Sequence, residues 1–319
     1  MNKKILVVGA GASQTNAIRH AVNLGYELYS IDQDPCAPGF KYSKNFLVGD
    51  IKNSDFLISA AKDFQIDGIT SFSTDVPVVS IAEAASALCL PSISINQAKL
   101  SVNKYLQRKM LIDFEISSPR FKTFHTLSDG MNALDEIKHP AVIKPIDSSG
   151  SRGVRFSSNV FETNSSYCEE ALSISPTNTG LIESFIDGPE IAVDGFVSNG
   201  RVYILCICDK RRSEPPHLLD LELTFPSSIP EANLQEIRLM ATRIMQASKI
   251  QNSPFHIEVI VSKDGPVLVE FAARGAGFNV FDRIIPYVAS LDTVHLQIKQ
   301  CLGEPIKLNK ISQKAAYLY

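Results

Sequence analysis

Over residues 1–96 short apolar runs alternate with amphipathic stretches. The period-2 and unbroken apolar runs predict strands at Lys4–Val8, Glu27–Ile31 and Gly68–Phe72. The 3.6-residue rhythm predicts helices at Ser13–Leu24, Ser54–Phe64 and Val76–Leu88. Strands that alternate with helices at this spacing argue for a parallel, doubly wound sheet. From about Gln97 the pattern changes to a lysine-rich helix, Lys99–Phe114, and a linker containing Pro119. A strand (Phe121–Phe124), a helix (Thr126–Ile137) and a strand (Ala141–Lys144) follow, then a strand at Leu181–Ile186. The hairpin Ile191–Asp209 turns at Asn199-Gly200, Ala232–Ala247 reads as a helix, and Lys314–Tyr319 reads as a further strand. The expected class is α/β, with a doubly wound unit at 1–96 and a second unit from 97 to 319.

The stretch Phe255–Phe278, FHIEVIVSKDGPVLVEFAARGAGF, carries the densest chemistry. A three-residue loop, Lys263-Asp264-Gly265, would pair Ser262 with Pro266 and set Glu258 opposite Glu270. Ile257, Val259, Val261, Val267, Val269 and Phe271 would then form an apolar face toward a core. Carboxylates directly opposite have Cβ atoms about 5 Å apart and repel unless a cation lies between them. A hard divalent ion, Mg²⁺ or Mn²⁺, suits such a pair when phosphates complete its shell. A solvated acidic hairpin salt-bridged to Arg274 suits the residues equally well. His256 shares the face of Glu258, where hydrogen bonding is a more ordinary role than metal ligation.

Pro140–Val154, PAVIKPIDSSGSRGV, places Lys144 at the end of a short strand, followed by Ser148, Ser149, Gly150, Ser151 and Gly153. Small residues let backbone N–H groups wrap an anion, and the lysine adds a point charge. A Walker loop has its lysine after the glycines, so this is a different device; a polar surface loop has the same composition. Gly180–Asp194, GLIESFIDGPEIAVD, reads as a strand, a crossover and a tight turn into another strand beginning near Glu190.

Taken in order, these motifs resemble the ATP-grasp superfamily: carboxylate-amine ligases, carbamoyl-phosphate synthase and biotin carboxylase-like enzymes. The resemblance implies a two-lobed α+β unit at 97–319, with a nucleotide clasped between a lid, about 117–176, and a base, about 177–319. Adenine would lie at Glu183, Ser184, Phe185 and Ile186, and Glu190 would take the ribose hydroxyls. Lys104 and Lys144 would bind phosphates under the Ser148–Gly153 loop, Glu258 and Glu270 would hold Mg²⁺, and Arg274 would face the transferring phosphoryl group. It also implies that the first unit is a pre-ATP-grasp domain. Acceptor substrates would then meet Ser73, Thr74 and Asp75, with Lys210, Arg211, Arg274 and Gly275 as further contacts. One departure is Ala272, where the family usually has a metal-binding Asn. The expected activity is an ADP-forming ligase that phosphorylates a carboxylate and couples it to an amine. The alternatives are a bicarbonate-using carboxylase and a nucleotide-binding protein without turnover.

Two bland readings stand beside these. Asp75 suits an N-cap for the helix after it, and Lys210-Arg211-Arg212 suits a solvated loop. Gly9, Gly11 and Asp32 invite a dinucleotide reading, which Gln14 weakens by occupying the third glycine position.

Composition narrows the classes further. The 319 residues carry 31 Lys+Arg against 34 Asp+Glu, a net charge of -3, and 45% hydrophobic residues. That supports substantial cores and offers no basic surface for nucleic acid. No apolar run is long enough for a transmembrane helix, and the first apolar run breaks too early for a signal peptide. Six cysteines without a CxxC pair fit a reducing, cytoplasmic setting. Small-molecule carboxylate and amine substrates are the expected partners, with a homodimer or partner subunit able to complete the acceptor pocket.

Overall fold

The computed structural model describes residues 3–158, 161–308, 311 and 313–319. Its first sheet joins β1 (Lys4–Val8), β2 (Glu27–Asp32), β3 (Asn45–Val48) and β4 (Gly68–Thr70) in the order β3-β2-β1-β4, all parallel. Ile5 and Val7 pack against Ala17 and Ile18 of α1 (Ala12–Asn23). Leu6 and Val8 point the other way, to Leu57 and Ala60 of α2 (Ser54–Phe64) and Ala84 of α3 (Val78–Ala87). A strand buried on both faces explains the unbroken apolar run of β1. β3 escapes the sequence reading because three of its four residues are exposed.

The expected helix Lys99–Phe114 is two helices, α4 (Ile95–Val102) and α5 (Lys104–Asp113). Asn103 breaks it: with φ -121 and ψ 109 it leaves the helical region, and its side chain accepts from Leu106 N. Asparagine is a strong N-cap, so α5 restarts with Lys104 as its first residue.

The next sheet comprises β5 (Phe121–Phe124), β6 (Ala141–Pro145), β7 (Arg155–Ser157) and β8 (Gly180–Ser184), antiparallel in the order β5-β8-β6-β7. Leu134 and Ile137 of α6 (Leu127–Ile137) and Ala171 of α7 (Phe161–Ile174) close over Phe124, Ile143 and Ile182. The largest sheet runs β13-β12-β9-β10-β11-β14, antiparallel, from β9 (Glu190–Ser198), β10 (Arg201–Arg212), β11 (Asp220–Phe225), β12 (Ser253–Ser262), β13 (Gly265–Ala272) and β14 (Ala316–Leu318). α8 (Glu231–Ala247) buries Ile237, Ala241 and Ile244 on one face, against Val193, Ile257 and Phe271. Phe281 and α9 (Ile285–Ala289) cover the other face, where Cys206 and Cys208 pack as small hydrophobes. Burial pushes both thiols well above their usual range. α10 (Thr293–Cys301) returns Val294 and Ile298 to the first sheet. Among the described residues no helix is long and apolar enough to cross a membrane.

The β12–β13 hairpin sets Glu258 opposite Glu270, but by a different route from the expected one. Its turn has two residues, with Ser262 pairing Gly265, and a bulge between Glu258 and Val259 restores the register. A one-residue slip exchanges faces. Leu268 therefore enters the core, while Val267 and Val269, expected there, line the neighbouring cleft.

Candidate active site

The cleft lies between the β6/β8 sheet and the β12–β13 hairpin, with the start of α5 at its edge. Val142, Ile186, Ile260, Val267 and Val269 give it apolar walls, and Lys104, Lys144, Ser148, Ser149, Gly150, Ser151, Glu183, Ser184 and Phe185 also line it.

Under it sits a buried ionic cluster. Glu183 Oε1 lies 2.6 Å from Arg108 Nε, and Glu183 Oε2 lies 2.6 Å from Lys144 Nζ. Burial would raise the Glu183 carboxyl, but Arg108 and Lys144 outweigh it and hold it at about 2. Burial lowers the Lys144 ammonium below the usual lysine range; Glu183 opposes this, while Arg108 and Lys104 add to it. Two cations thus share one carboxylate, an arrangement that favours an incoming anion. Arg108 escaped the sequence reading. It stands four residues after Lys104 on α5, and that (i, i+4) spacing is the signal that could have found it.

Lys104 Nζ lies 2.8 Å from Glu270 Oε2 and donates to the Ser148 carbonyl at 2.8 Å, tying loop to hairpin. The loop is rooted at Asp147, which accepts from Ser175 Oγ and Thr177 Oγ1, both at 2.6 Å. Gly150 and Ser151 take positive φ, +67° and +55°, and a Cβ on Gly150 would meet open space. Gly153 does not face the cleft. At φ +73° its missing Cβ would sit 2.9 Å from Ile174 and 3.0 Å from Pro145, so packing requires this glycine.

Glu258 and Glu270 are both held by cations of the chain. Lys210 Nζ lies 2.5 Å from Glu258 and 3.0 Å from Glu190. Burial would lower the Lys210 ammonium, but Glu258, Glu190 and Asp220 raise it well above its ordinary value. Lys210-Arg211-Arg212 is therefore no solvated loop: the three residues end β10, with Lys210 8% exposed. Strand alternation turns Lys210 and Arg212 inward and leaves Arg211 outside, paired with Glu222. Glu190 is likewise removed from the cleft, its carboxylate bound by Arg212 and Lys210. His256 joins its neighbours by hydrogen bonds, Nδ1 to Asp194 Oδ1 at 3.0 Å and Nε2 to Glu258 Oε1 at 3.4 Å. Burial would lower its pKa, but those carboxylates raise it to about 9. Among the described residues no cluster of three or more His, Cys, Asp or Glu side chains could hold a metal. The oxygen-only pair suits Mg²⁺ if phosphate oxygens and water complete its shell. Ala272 offers no ligand.

Beyond the acid pair the cleft opens into a cavity of about 550 Å³ that shares Ser149, Gly150, Ser151, Glu258 and Glu270 with it. Ser73, Thr74 and Asp75 line it from the first sheet, and Lys210 and Arg274 from the largest. Arg274 grips Asp75 with both arms, Nε to Oδ1 at 2.8 Å and the Nη2 arm to Oδ2 at 2.7 Å. Asp75 is therefore not a helix cap; Pro77 occupies that position. Gly275 lies under the Phe281 ring, which a Cβ would approach to 2.1 Å, and serves packing. At the Gly9 turn Asp32 accepts from Ala10 N at 2.6 Å and from Asp34 N at 3.0 Å.

Residues 137–282 match the family model of the ATP-grasp domain. The chain is 24% identical to dapdiamide A synthase of Enterobacter agglomerans over 269 residues, 82% of this chain and 59% of that protein. It spans between 56% and 67% of the length of three such curated relatives. In fold it resembles an L-amino acid ligase from Bacillus licheniformis, with a TM-score of 0.82 at 23% identity over 96% of this chain and 75% of that one. The biotin carboxylase domain of the 2-oxoglutarate carboxylase from Hydrogenobacter thermophilus, solved as a dimer with MgADP, ADP and bicarbonate, gives a TM-score of 0.82 at 17% identity, covering 99% and 73%. The match over residues 137–282, together with the order of the lysine, loop and paired-acid motifs, identifies an ATP-grasp domain within the chain.

Proposed function

We propose that the chain is an ADP-forming ligase that activates a carboxylate with ATP and couples it to an amine. The observation that carries this reading is the buried cluster in which Arg108 and Lys144 share Glu183 beneath a small-residue loop and beside two opposed carboxylates. An excess cation at the floor, backbone N–H groups above and paired acids alongside suit a nucleotide triphosphate and its metal. Residues 1–96 would be the pre-ATP-grasp domain and 97–319 the ATP-grasp domain, its lid about 117–176 and its base about 177–319. The cleft holds only about 70 Å³ of free space, so the Ser148–Gly153 loop must lift to admit a nucleotide. Free cysteines agree with action in a reducing cytoplasm.

In this reading Lys104 and Lys144 bind phosphate oxygens, and Glu183 to Ile186 border the adenine. A carboxylate oxygen of the first substrate attacks the γ-phosphorus, and the bond to ADP breaks. The amine then attacks the acyl carbon, loses a proton and expels inorganic phosphate. Arg274, held in place by Asp75, stabilises negative charge on the transferring group. Lys210 and Lys104 balance Glu258 and Glu270 before metal binds. Mg²⁺ at that pair would supply Lewis-acid polarisation of phosphate oxygens. The closed loop keeps water from the acyl phosphate.

Phosphate release from ATP, screened against amino acids and small carboxylic acids singly and in pairs with bicarbonate as one arm, tests the proposal. ADP and phosphate should form only with a carboxylate present, and hydroxylamine should trap a hydroxamate. Formation of AMP and pyrophosphate contradicts the assignment; turnover with bicarbonate alone selects the carboxylase.

A further inference from the structure

The cavity beyond Glu258 and Glu270 has two unlike halves. One is ionic, with Arg274, Lys210 and His256 beside the acid pair. The other is apolar, built from Leu221 and Leu223 of β11, Leu318 of β14 and Phe278. Large apolar side chains normally turn away from water, yet Phe278 is 72% exposed and Leu221 is 40% exposed.

The backbone sharpens the point. Phe278 has φ +52° and Asn279 follows at +59°. Asparagine tolerates that region, whereas a bulky residue there is a genuine outlier. Such strain persists where the surroundings impose it, and it concentrates at ligand sites. Gly275 seats this turn closely against the Phe281 ring, and the π-helical turn Val280–Ile284 anchors its far side in the core. The strained pair lies between two well-packed points, and what it presents is an aromatic ring on the wall of the cavity that the reacting centre opens into.

We propose that Phe278, with Leu221, Leu223 and Leu318, forms a specificity subsite for the apolar side chain of a small carboxylic acid, such as an α-amino acid with an aliphatic or aromatic side chain at least as large as leucine's. This deepens the ligase reading and rests on it for the reaction, though not for binding. The acid's carboxylate lies toward the ionic half, where phosphorylation takes place, and its side chain covers the exposed ring and leucines. Burial of that apolar surface supplies selectivity, and a cavity of about 550 Å³ leaves room for the amine as well.

Two measurements test it. In the first, kcat/KM for hydroxamate formation from ATP, hydroxylamine and single acids is compared for leucine and phenylalanine against serine and aspartate. Apolar acids should be preferred at least about tenfold, as expected for a pocket contact of one or more methylenes. Phe278→Ala should cut kcat/KM for the apolar acids about 10–200-fold while leaving the KM for ATP and the values for polar acids unchanged, and Phe278→Leu should restore most of the loss. In the second, binding of 3-phenylpropionate and of acetate is measured by calorimetry without nucleotide. The wild type should bind 3-phenylpropionate saturably and more tightly than acetate, and Phe278→Ala should weaken that binding. Because Phe278 is exposed and strained, its replacement should not lower the melting temperature, so a lost signal cannot be ascribed to unfolding. Saturable binding without turnover leaves the subsite standing and removes the ligase reading. Turnover of polar acids with no binding of 3-phenylpropionate, or an acid ranking that Phe278→Ala does not alter, overturns the subsite.

Discussion

Glu183→Gln probes the buried cluster with little change of volume. Glu183 is 4% exposed, Arg108 0% and Lys144 4%, and both contacts to the carboxylate measure 2.6 Å. At an effective dielectric of about 20, each contact is worth roughly 6 kcal/mol of Coulomb attraction, most of it offset by desolvation. Removing one member of a buried pair typically costs about 3–5 kcal/mol, because the remaining charge is uncompensated. Linkage gives an independent figure. The Glu183 carboxyl falls from an ordinary 4.5 to about 2 on folding, which corresponds to about 3 kcal/mol at neutral pH. The sign follows from the depressed value: this stability is present above about pH 4.5 and is lost as pH falls toward 2. Urea unfolding of wild type and Glu183→Gln should therefore differ by about 3 kcal/mol at pH 7 and by less than half of that near pH 3, with unchanged m-values. A difference below about 1 kcal/mol at pH 7, or one that does not vary with pH, would show that the cluster is not charged as described.

Glu270→Gln should lower turnover at least about a hundredfold, roughly 2.7 kcal/mol of transition-state stabilisation, with a smaller thermal shift on adding ATP·Mg²⁺. Opposed bare carboxylates would imply a more stable apo variant, but Lys104 sits 2.8 Å from Glu270, so a loss of about 1–3 kcal/mol is expected in urea unfolding instead. The His256 pKa, raised from 6.5 to about 9, contributes stability that is fully present below about pH 6.5 and lost as pH rises through 9. Unfolding free energies at the two ends of that window should show the decline in wild type and not in Asp194→Asn. Gly153→Ala should destabilise the chain by about 1–3 kcal/mol, and Gly150→Ala by less, since only the first adds a steric clash to a positive φ; thermal melts separate them.

Elements with strong periodicity were legible in the sequence: β1 and α2 fall at Lys4–Val8 and Ser54–Phe64 as the pattern predicts. What was not legible depended on partners distant in the chain. β3 is a short exposed edge strand whose Phe46 stacks on Phe40, a contact no local pattern announces. The Asn103 break was readable as a cap signal but was masked by a continuous helical composition. The sequence predicts the facing of Glu258 and Glu270 but carries no signal for the bulge that produces it, and that bulge turns Val267 and Val269 to the cleft. Around the site, Lys104, Lys144 and the Ser148–Ser151 loop converge because local motifs place them on strand ends and a helix start. Arg108, Asp194 and the inward turn of Lys210 depend on tertiary pairing, since a basic triplet reads as solvated until a neighbouring strand supplies acids on one side.

The central claim is that the cleft beneath the Ser148–Gly153 loop is a site for ATP·Mg²⁺. Calorimetric titration of the full chain with ATP·Mg²⁺ and with NAD, repeated on Lys144→Met, tests it most directly. The account predicts saturable ATP binding weakened about tenfold or more by Lys144→Met, a change of at least about 1.4 kcal/mol, and no comparable NAD affinity because Gln14 occupies the third glycine position of the Gly9 turn. Tighter binding of NAD than of ATP, or an ATP affinity indifferent to Lys144→Met, would contradict it.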